Sequence, residues 1–497
     1  MSTATHASRP SAGAGAVLIL AFTGIVASSM QTLLIPVIAD LPRLLDTSPG
    51  NASWLISSTL LTASVAPPIM GRLGDLHGKR RMMLISIAVM IAGALLSAST
   101  TNFALVVVGR ALQGVAMSAI PLAIGLMKDV LPRNRLDSAA AVMSTSMGVG
   151  SSLALPAAAL VAQQSSWQVL FYGAAVLGVL CVLLLPMVPE TQVRARGTFD
   201  IPGALGLVAG LTLLLLPLSK GSEWGWTSVR TMMFFGAAVV VLALWAGLEG
   251  KLTSPLVDVR SFRRPVLLFT HLATMMVGAS YLVVALVLPQ LLQLPGATGY
   301  GLGQSMVAAG LLMVPLGLTM LLTAPLHARL SARYGPKAAL LLGLSITAAG
   351  YGAAVGLVAA PWQTVIVTVV LGVGIGLAYA SPPALLLGAV APHETGAANG
   401  LNTLMRSVGA AVCSALVSVV LASKSRDYRG SPVPSLEGFR TAYLIAAALM
   451  GVGFVLALFL PKQGKLPHHL ATAAPDGARK RRPSPESAGR CGAPAGR

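Results

Sequence analysis

The chain reads as an all-α membrane protein with fourteen transmembrane helices, and three observations carry that reading. Apolar stretches long enough to cross a bilayer recur from about Gly13 to Pro461. Hydrophobic residues make up 55% of the 497 and charged residues only 10%. Mean hydropathy is +0.79. A hydrocarbon core of about 30 Å takes about 20 helical residues per crossing. Backbone polar groups in lipid must be satisfied within the segment, which favours helices. A soluble globular chain carries about 25% charged residues and does not repeat apolar runs of this length.

In chain order the expected spans are 14–38, 52–71, 82–99, 103–127, 138–160, 168–188, 203–219, 231–249, 267–292, 305–327, 337–357, 363–388, 398–421 and 441–461. An even number puts both termini on one side. Lys and Arg concentrate in the loops after spans 2, 4, 6, 8 and 10, as in Arg72, Lys79, Arg80 and Arg81, or Arg260, Arg263 and Arg264. The positive-inside rule therefore places both termini in the cytoplasm. The loop 422–440, with Lys424, Arg426, Arg429 and Arg440, runs against the bias. The net charge of +19 thus follows from topology without nucleic acid as a partner. Residues 1–12 lack a cleavable signal pattern, so span 1 is expected to stay as its own anchor. Residues 462–497, rich in Pro, Gly, Ala and Arg, read as a disordered cytoplasmic tail. Its run Arg479-Lys480-Arg481-Arg482 is either a headgroup contact or a solvated topology signal. Cys181 and Cys413 fall in spans and Cys491 in the tail, which gives neither a disulfide framework nor metal-ligand spacing. No metal or cofactor is expected.

The chain repeats itself. Gly71-Arg72-Leu73-Gly74-Asp75-Leu76-His77-Gly78-Lys79-Arg80 after span 2 is echoed by Ala328-Arg329-Leu330-Ser331-Ala332-Arg333-Tyr334-Gly335-Pro336-Lys337 after span 10. An offset of eight spans leaves two six-helix bundles and two central helices. The expected organisation is a cytoplasmic N-terminus (1–13), an N-terminal bundle (14–188), two extra helices with linkers (189–264), a C-terminal bundle (265–461) and the tail (462–497). Paired halves with a substrate site at their interface are the plan of many secondary transporters.

The loop Gly71–Arg81 is the strongest local signal. Gly71, Gly74 and Gly78 permit a tight reversal, and Lys79, Arg80 and Arg81 hold it in the cytosol. Asp75 is an acid in a basic loop. It either pairs with a neighbouring Arg or sits at a positive helix N-terminus. A pair formed only when the cytoplasmic side is closed acts as a latch; otherwise this is a topology loop with a satisfied acid.

Gly71-x-x-x-Asp75-x-x-Gly78-Lys79-Arg80 resembles the signature loop of the major facilitator superfamily. Gly109-Arg110-Ala111-Leu112-Gln113-Gly114 on span 4 is similar to a second motif of its fourteen-helix branch, the drug:proton antiporter family 2. Gln31-Thr32-Leu33-Leu34-Ile35-Pro36, Phe199-Asp200-Ile201-Pro202-Gly203 and Pro255-Leu256-Val257-Asp258 resemble that branch's span-1 motif and central loops. The resemblance covers about residues 14–461. It implies the major facilitator fold and export of amphiphilic drugs or metabolites in exchange for protons, with Arg110 serving proton exchange. It departs at two places. The acid that family members carry nine residues before the span-1 proline is Ala27 here, and Leu155 precedes Pro156 where the family has a Gly-Pro pair. No acid of the chain lies deep within an expected span.

Other polar residues at membrane depth complete the candidate set. A buried guanidinium costs at least about 2.5 kcal/mol on insertion scales, so Arg110 faces the bundle interior or a wet cavity. Gln113 lies on the same helical face. Without the resemblance, Arg110 also reads as a structural residue bonding carbonyls between helices. Arg406 in span 13 either contacts substrate or braces helices. His271, Thr274, Gly278 and Tyr281 share one face of span 9, and Ser28, Gln31 and Thr32 one face of span 1. Either face lines a cavity suited to an amphiphile or packs helix against helix. The cavity candidates are thus Ser28, Gln31, Gln113, His271, Tyr281 and Arg406. The chain is not expected to be an enzyme, and no phosphate-binding loop for direct ATP drive is present. The expected function is efflux by proton antiport from a monomer in a bacterial plasma membrane, with small molecules, protons and lipid as partners. The rivals are an uptake carrier or uniporter for a neutral or anionic solute, and a sensor or scaffold without transport.

Overall fold

The structure is a computed structural model. It describes residues 14–34, 37, 41–47, 54–131, 133–190, 194, 195, 197–252, 255–428 and 431–461. The N-terminal segment 1–13, Pro36 and the tail with Arg479–Arg482 lie outside the described residues. Among the described residues, fourteen helices long and apolar enough to span a membrane follow one another. They are α1 (Ala14–Thr32), α2 (Trp54–His77), α3 (Lys79–Ala98), α4 (Phe103–Val130), α5 (Arg133–Gln164), α6 (Gln168–Leu184) and α7 (Ile201–Trp224). After these come α8 (Val229–Glu249), α9 (Pro265–Gln293), α10 (Met306–Tyr334), α11 (Pro336–Ala354), α12 (Pro361–Ala389), α13 (Thr395–Ser423) and α14 (Leu436–Leu458).

Buried apolar side chains gather in one cluster from Leu20 to Val188 and another from Ala273 to Leu460. A third joins α2, α7, α13 and Leu256–Val257 through Val65, Leu207, Leu401 and Leu404. Glycines set the helix spacing across the middle: a Cβ on Gly317 of α10 would stand 2.6 Å from the Gly148 carbonyl of α5. On α8 only 11% of the most apolar window is buried. Its exposed Val229, Met233, Val239 and Leu244 suit lipid.

One expectation needs correction. Gly71–Arg81 is not a ten-residue loop. α2 runs on to His77 and α3 begins at Lys79, so Gly78 alone, at φ 108°, makes the reversal. Gly71 and Gly74 are helical and serve close packing instead. The all-α expectation stands, with one short hairpin added between two helices. Within 422–440, β1 (Ser425–Tyr428) and β2 (Ser431–Pro434) form an antiparallel hairpin, with Ser425 opposite Pro434 and Tyr428 opposite Ser431. The Tyr300 hydroxyl donates to the Pro434 carbonyl and ties the hairpin to the segment before α10. Inside α4, residues Val115–Ser118 tighten into a 3₁₀ turn. Pro121 lacks the N–H that would bond the Met117 carbonyl, which accounts for the irregularity.

Candidate functional site

Charge and helix ends meet where α2 reaches α13. Asp75 is fully buried. One carboxylate oxygen accepts from the Gly396 amide at 3.0 Å and the other from the Ala397 amide at 2.9 Å. These are orphan donors of the first turn of α13, where an anion also complements the helix dipole. Of the two partners open to Asp75 on sequence, the helix N-terminus is the one it bonds. Contact is close because both backbones are bare: a Cβ on Gly71 would stand 2.7 Å from the Gly396 carbonyl carbon. Lys79, also fully buried, lies 3.6 Å from Asp75 and 2.7 Å from Asp129 at the end of α4. Lys128 reaches across as well, donating to the Leu387 carbonyl at 2.8 Å and the Val390 carbonyl at 3.1 Å. Those carbonyls close α12, so a cation meets a helix C-terminus. An acid and a base of the first half of the chain thus hold two helix ends of the second.

Arg80 stays within its own half. It donates to the carbonyls of Pro186 and Val188 at 3.2 and 2.9 Å, while Glu190 accepts from the amides of Arg80 and Arg81 at 3.0 Å each. The repeat carries the same device: Lys337 donates to the carbonyls of Leu458 and Leu460 after α14. What the repeat lacks is the acid, since Ala332 occupies the place of Asp75. Asp129 and Glu190 were not singled out in the sequence, where acids at span ends read as boundaries.

Arg110 is fully buried in α4 and knits three helices. Its Nε donates to the Leu55 carbonyl at 3.0 Å, one terminal nitrogen to Gln113 Oε1 at 2.7 Å and the other to the Met30 carbonyl at 2.9 Å. Gln113 passes the chain to Ser97 Oγ at 3.2 Å. Among the described residues no carboxylate pairs with Arg110 or Arg406.

A second constellation sits midway along the helices. The Arg406 guanidinium lies 4.9 Å from the Tyr379 ring centroid, with Thr403 Oγ1 at 3.4 Å. Tyr379 meets Tyr281 edge-on at 5.8 Å. Tyr281 lies beside Ser151 of α5, one residue from the Gly150 that packs on Ser28. Ser28 itself bonds the Ile25 carbonyl at 3.0 Å, and Gln31 is half-buried on the same helix. The α9 stripe is divided. Thr274 bonds Asn402 at 2.7 Å, and Gly278 packs on Arg406. His271 is not in this group: it lies toward the Asp75 end, its ring 5.5 Å from Phe262. Ser151 carries no sequence signal beyond a small polar residue in a span.

The family model described as Major Facilitator Superfamily matches residues 20–316 and 270–487. The tetracenomycin C resistance and export protein of Streptomyces glaucescens is 26% identical over 77% of this chain and 71% of its own length. The cephamycin export protein CmcT of Amycolatopsis lactamdurans is 26% identical over 83% of this chain and 85% of its own. The solved human organic anion transporter MFSD10 (TETRAN) superposes with TM-score 0.62 at 15% identity, covering 89% of this chain and 99% of that one, a likeness of fold. The chain belongs to the Major Facilitator Superfamily of membrane transporters, in the fourteen-helix form.

Proposed function

We propose that the chain exports amphiphilic small molecules in exchange for protons, rocking two six-helix halves around the Arg406–Tyr379–Tyr281 group, with both termini cytoplasmic. The observation that carries the reading is the cross-half seal at the basic end, where Asp75 holds α13 and Lys128 holds α12. A seal of a few charge-assisted bonds is strong enough to define a state and weak enough to break in each cycle. Asp75, Gly71, Gly78, Lys79 and Arg80 act as the inner gate. Arg110, bonded to α1, α2 and Gln113, is the candidate for proton coupling. The two export proteins that the chain resembles support the outward direction. The test is accumulation of fluorescent amphiphilic cations, neutral compounds and anions in cells with and without the chain. Export predicts lower accumulation that an uncoupler restores. Equal accumulation for every compound overturns it.

One observation favours a second reading. Arg406 sits beside Tyr379 with no paired acid among the described residues, which suits a neutral or anionic cargo, and the uptake carrier or uniporter takes such a cargo. Higher accumulation in expressing cells, insensitive to an uncoupler, selects it.

A further inference from the structure

A cavity of about 610 Å³ opens at the Asp75 end, away from the Tyr281 group. Its walls are the last turns of α2, residues 194–195, the segment 255–264, the start of α9 and the start of α13. Main-chain amides tie these walls down. The Ala195 amide donates to the Asp75 carbonyl at 2.7 Å, which seats Arg194. The Val257 amide donates to Glu249 at 3.3 Å, and Leu256 and Val257 are buried beneath.

Charge on this wall is lopsided. Arg72, Arg194, Arg260 and Arg264 line it against two acids, Asp258 and Glu394. Arg194, Arg260 and Arg264 form an exposed rim, while Arg72 (9% exposed) and His271 (2% exposed) form the floor. Some of these groups are already engaged. Arg260 donates to the Gly250 carbonyl at 2.9 Å, Asp258 accepts from the Arg260 amide at 3.1 Å, and Glu394 lies 3.8 Å from His393. The amides of Gly396 and Ala397 belong to Asp75 and offer nothing to a ligand. Two floor atoms, Arg72 Nε and His271 Nδ1, are buried with no hydrogen-bond partner. Leaving a buried polar group unmet is costly, and both lie in side chains that border an open, positively charged space.

We propose that this cavity is a binding site for a phosphate group, separate from the transported cargo. The guanidinium fork matches phosphate oxygens bidentately. An excess of two positive charges suits a phosphate group, which carries about −1.5 to −2 as a monoester and a single negative charge as the phosphodiester of a lipid headgroup. The same chemistry comes from free phosphate or from an anionic lipid headgroup at the inner surface, where basic pockets near spans take headgroups. The site goes beyond the export reading and stands whether or not a cargo is exported.

The test uses the full chain in neutral detergent. Thermal unfolding is followed during titration with inorganic phosphate against chloride at equal ionic strength. A second arm uses nanodiscs of phosphatidylcholine with and without phosphatidylglycerol. Saturable stabilisation in the first arm identifies a soluble phosphate, and stabilisation confined to the second identifies a headgroup; both support the site. Arg264→Gln and Arg72→Gln each should weaken binding by about tenfold to a hundredfold, the loss of one charged hydrogen-bonding contact. Should Arg72→Gln fail to fold, the exposed Arg264→Gln and Arg194→Gln variants still decide. No saturable stabilisation in either arm, or equal binding in the rim variants, overturns the proposal.

Discussion

Replacing Asp75 by Asn tests the seal with almost no change in shape. The carboxylate accepts two amides of α13, at 3.0 and 2.9 Å. Asn keeps one acceptor oxygen and turns an NH₂ toward the second amide. One charge-assisted bond is lost, about 1.5–3 kcal/mol, together with the favourable charge at the helix N-terminus, about 0.3–2 kcal/mol. The Lys79 contact lies within one half and is present whether the end is open or closed, so it cancels. The closed form should lose roughly 2–5 kcal/mol, and 1.4 kcal/mol is tenfold; the open-to-closed ratio should therefore rise about 30-fold to several thousand-fold. Spin labels on Arg81→Cys and His393→Cys, both exposed and on opposite halves, report the separation once Cys181, Cys413 and Cys491 are replaced by Ser. The wild type should give one short distance and Asp75→Asn an added longer one. Turnover should fall more than substrate affinity. An unchanged distance distribution with unchanged transport would refute the latch.

The remaining predictions address the other contacts. Lys128→Met removes the bonds to the Leu387 and Val390 carbonyls, and should add the same long distance at a cost of about 1–3 kcal/mol to the closed form. Gly71→Ala puts a methyl group 2.7 Å from the Gly396 carbonyl carbon, so α2 and α13 must part. It should abolish the short distance in a protein that still inserts. Arg110→Ala strands Gln113 Oε1 and takes a donor from the Met30 and Leu55 carbonyls, the latter keeping Thr59 Oγ1 at 3.3 Å. At about 1–3 kcal/mol for each orphaned group, the unfolding midpoint should drop measurably and proton-linked movement should be lost; an unaltered midpoint would show that the guanidinium is not the structural hub of α1, α2 and α4.

The spans were legible because hydropathy and length are local properties. The partners of charged residues were not. Asp75 stands out as an acid in a basic segment, yet the α13 amide it bonds is 321 positions away. Gly71 and Gly74 look like turn residues because glycine permits both a tight turn and a bare helix face. Only the approach of α13 to Gly71 and of Leu122 of α4 to Gly74 decides for the second. The α9 stripe was readable as one face, but His271, Thr274 and Tyr281 are spread along the helix axis, and each level meets a different neighbour. The hairpin at 425–434 escaped notice because two four-residue strands give no sustained alternation.

Exchange of cargo for protons is read from proton movement in inverted membrane vesicles. A pH gradient is imposed, the panel of amphiphilic compounds is added, and dequenching of a pH-sensitive dye is followed. Antiport predicts substrate-dependent proton release from the wild type, weakened in Asp75→Asn and absent in Arg110→Ala. Cargo that moves without any proton signal, at a rate an uncoupler leaves unchanged, would contradict it.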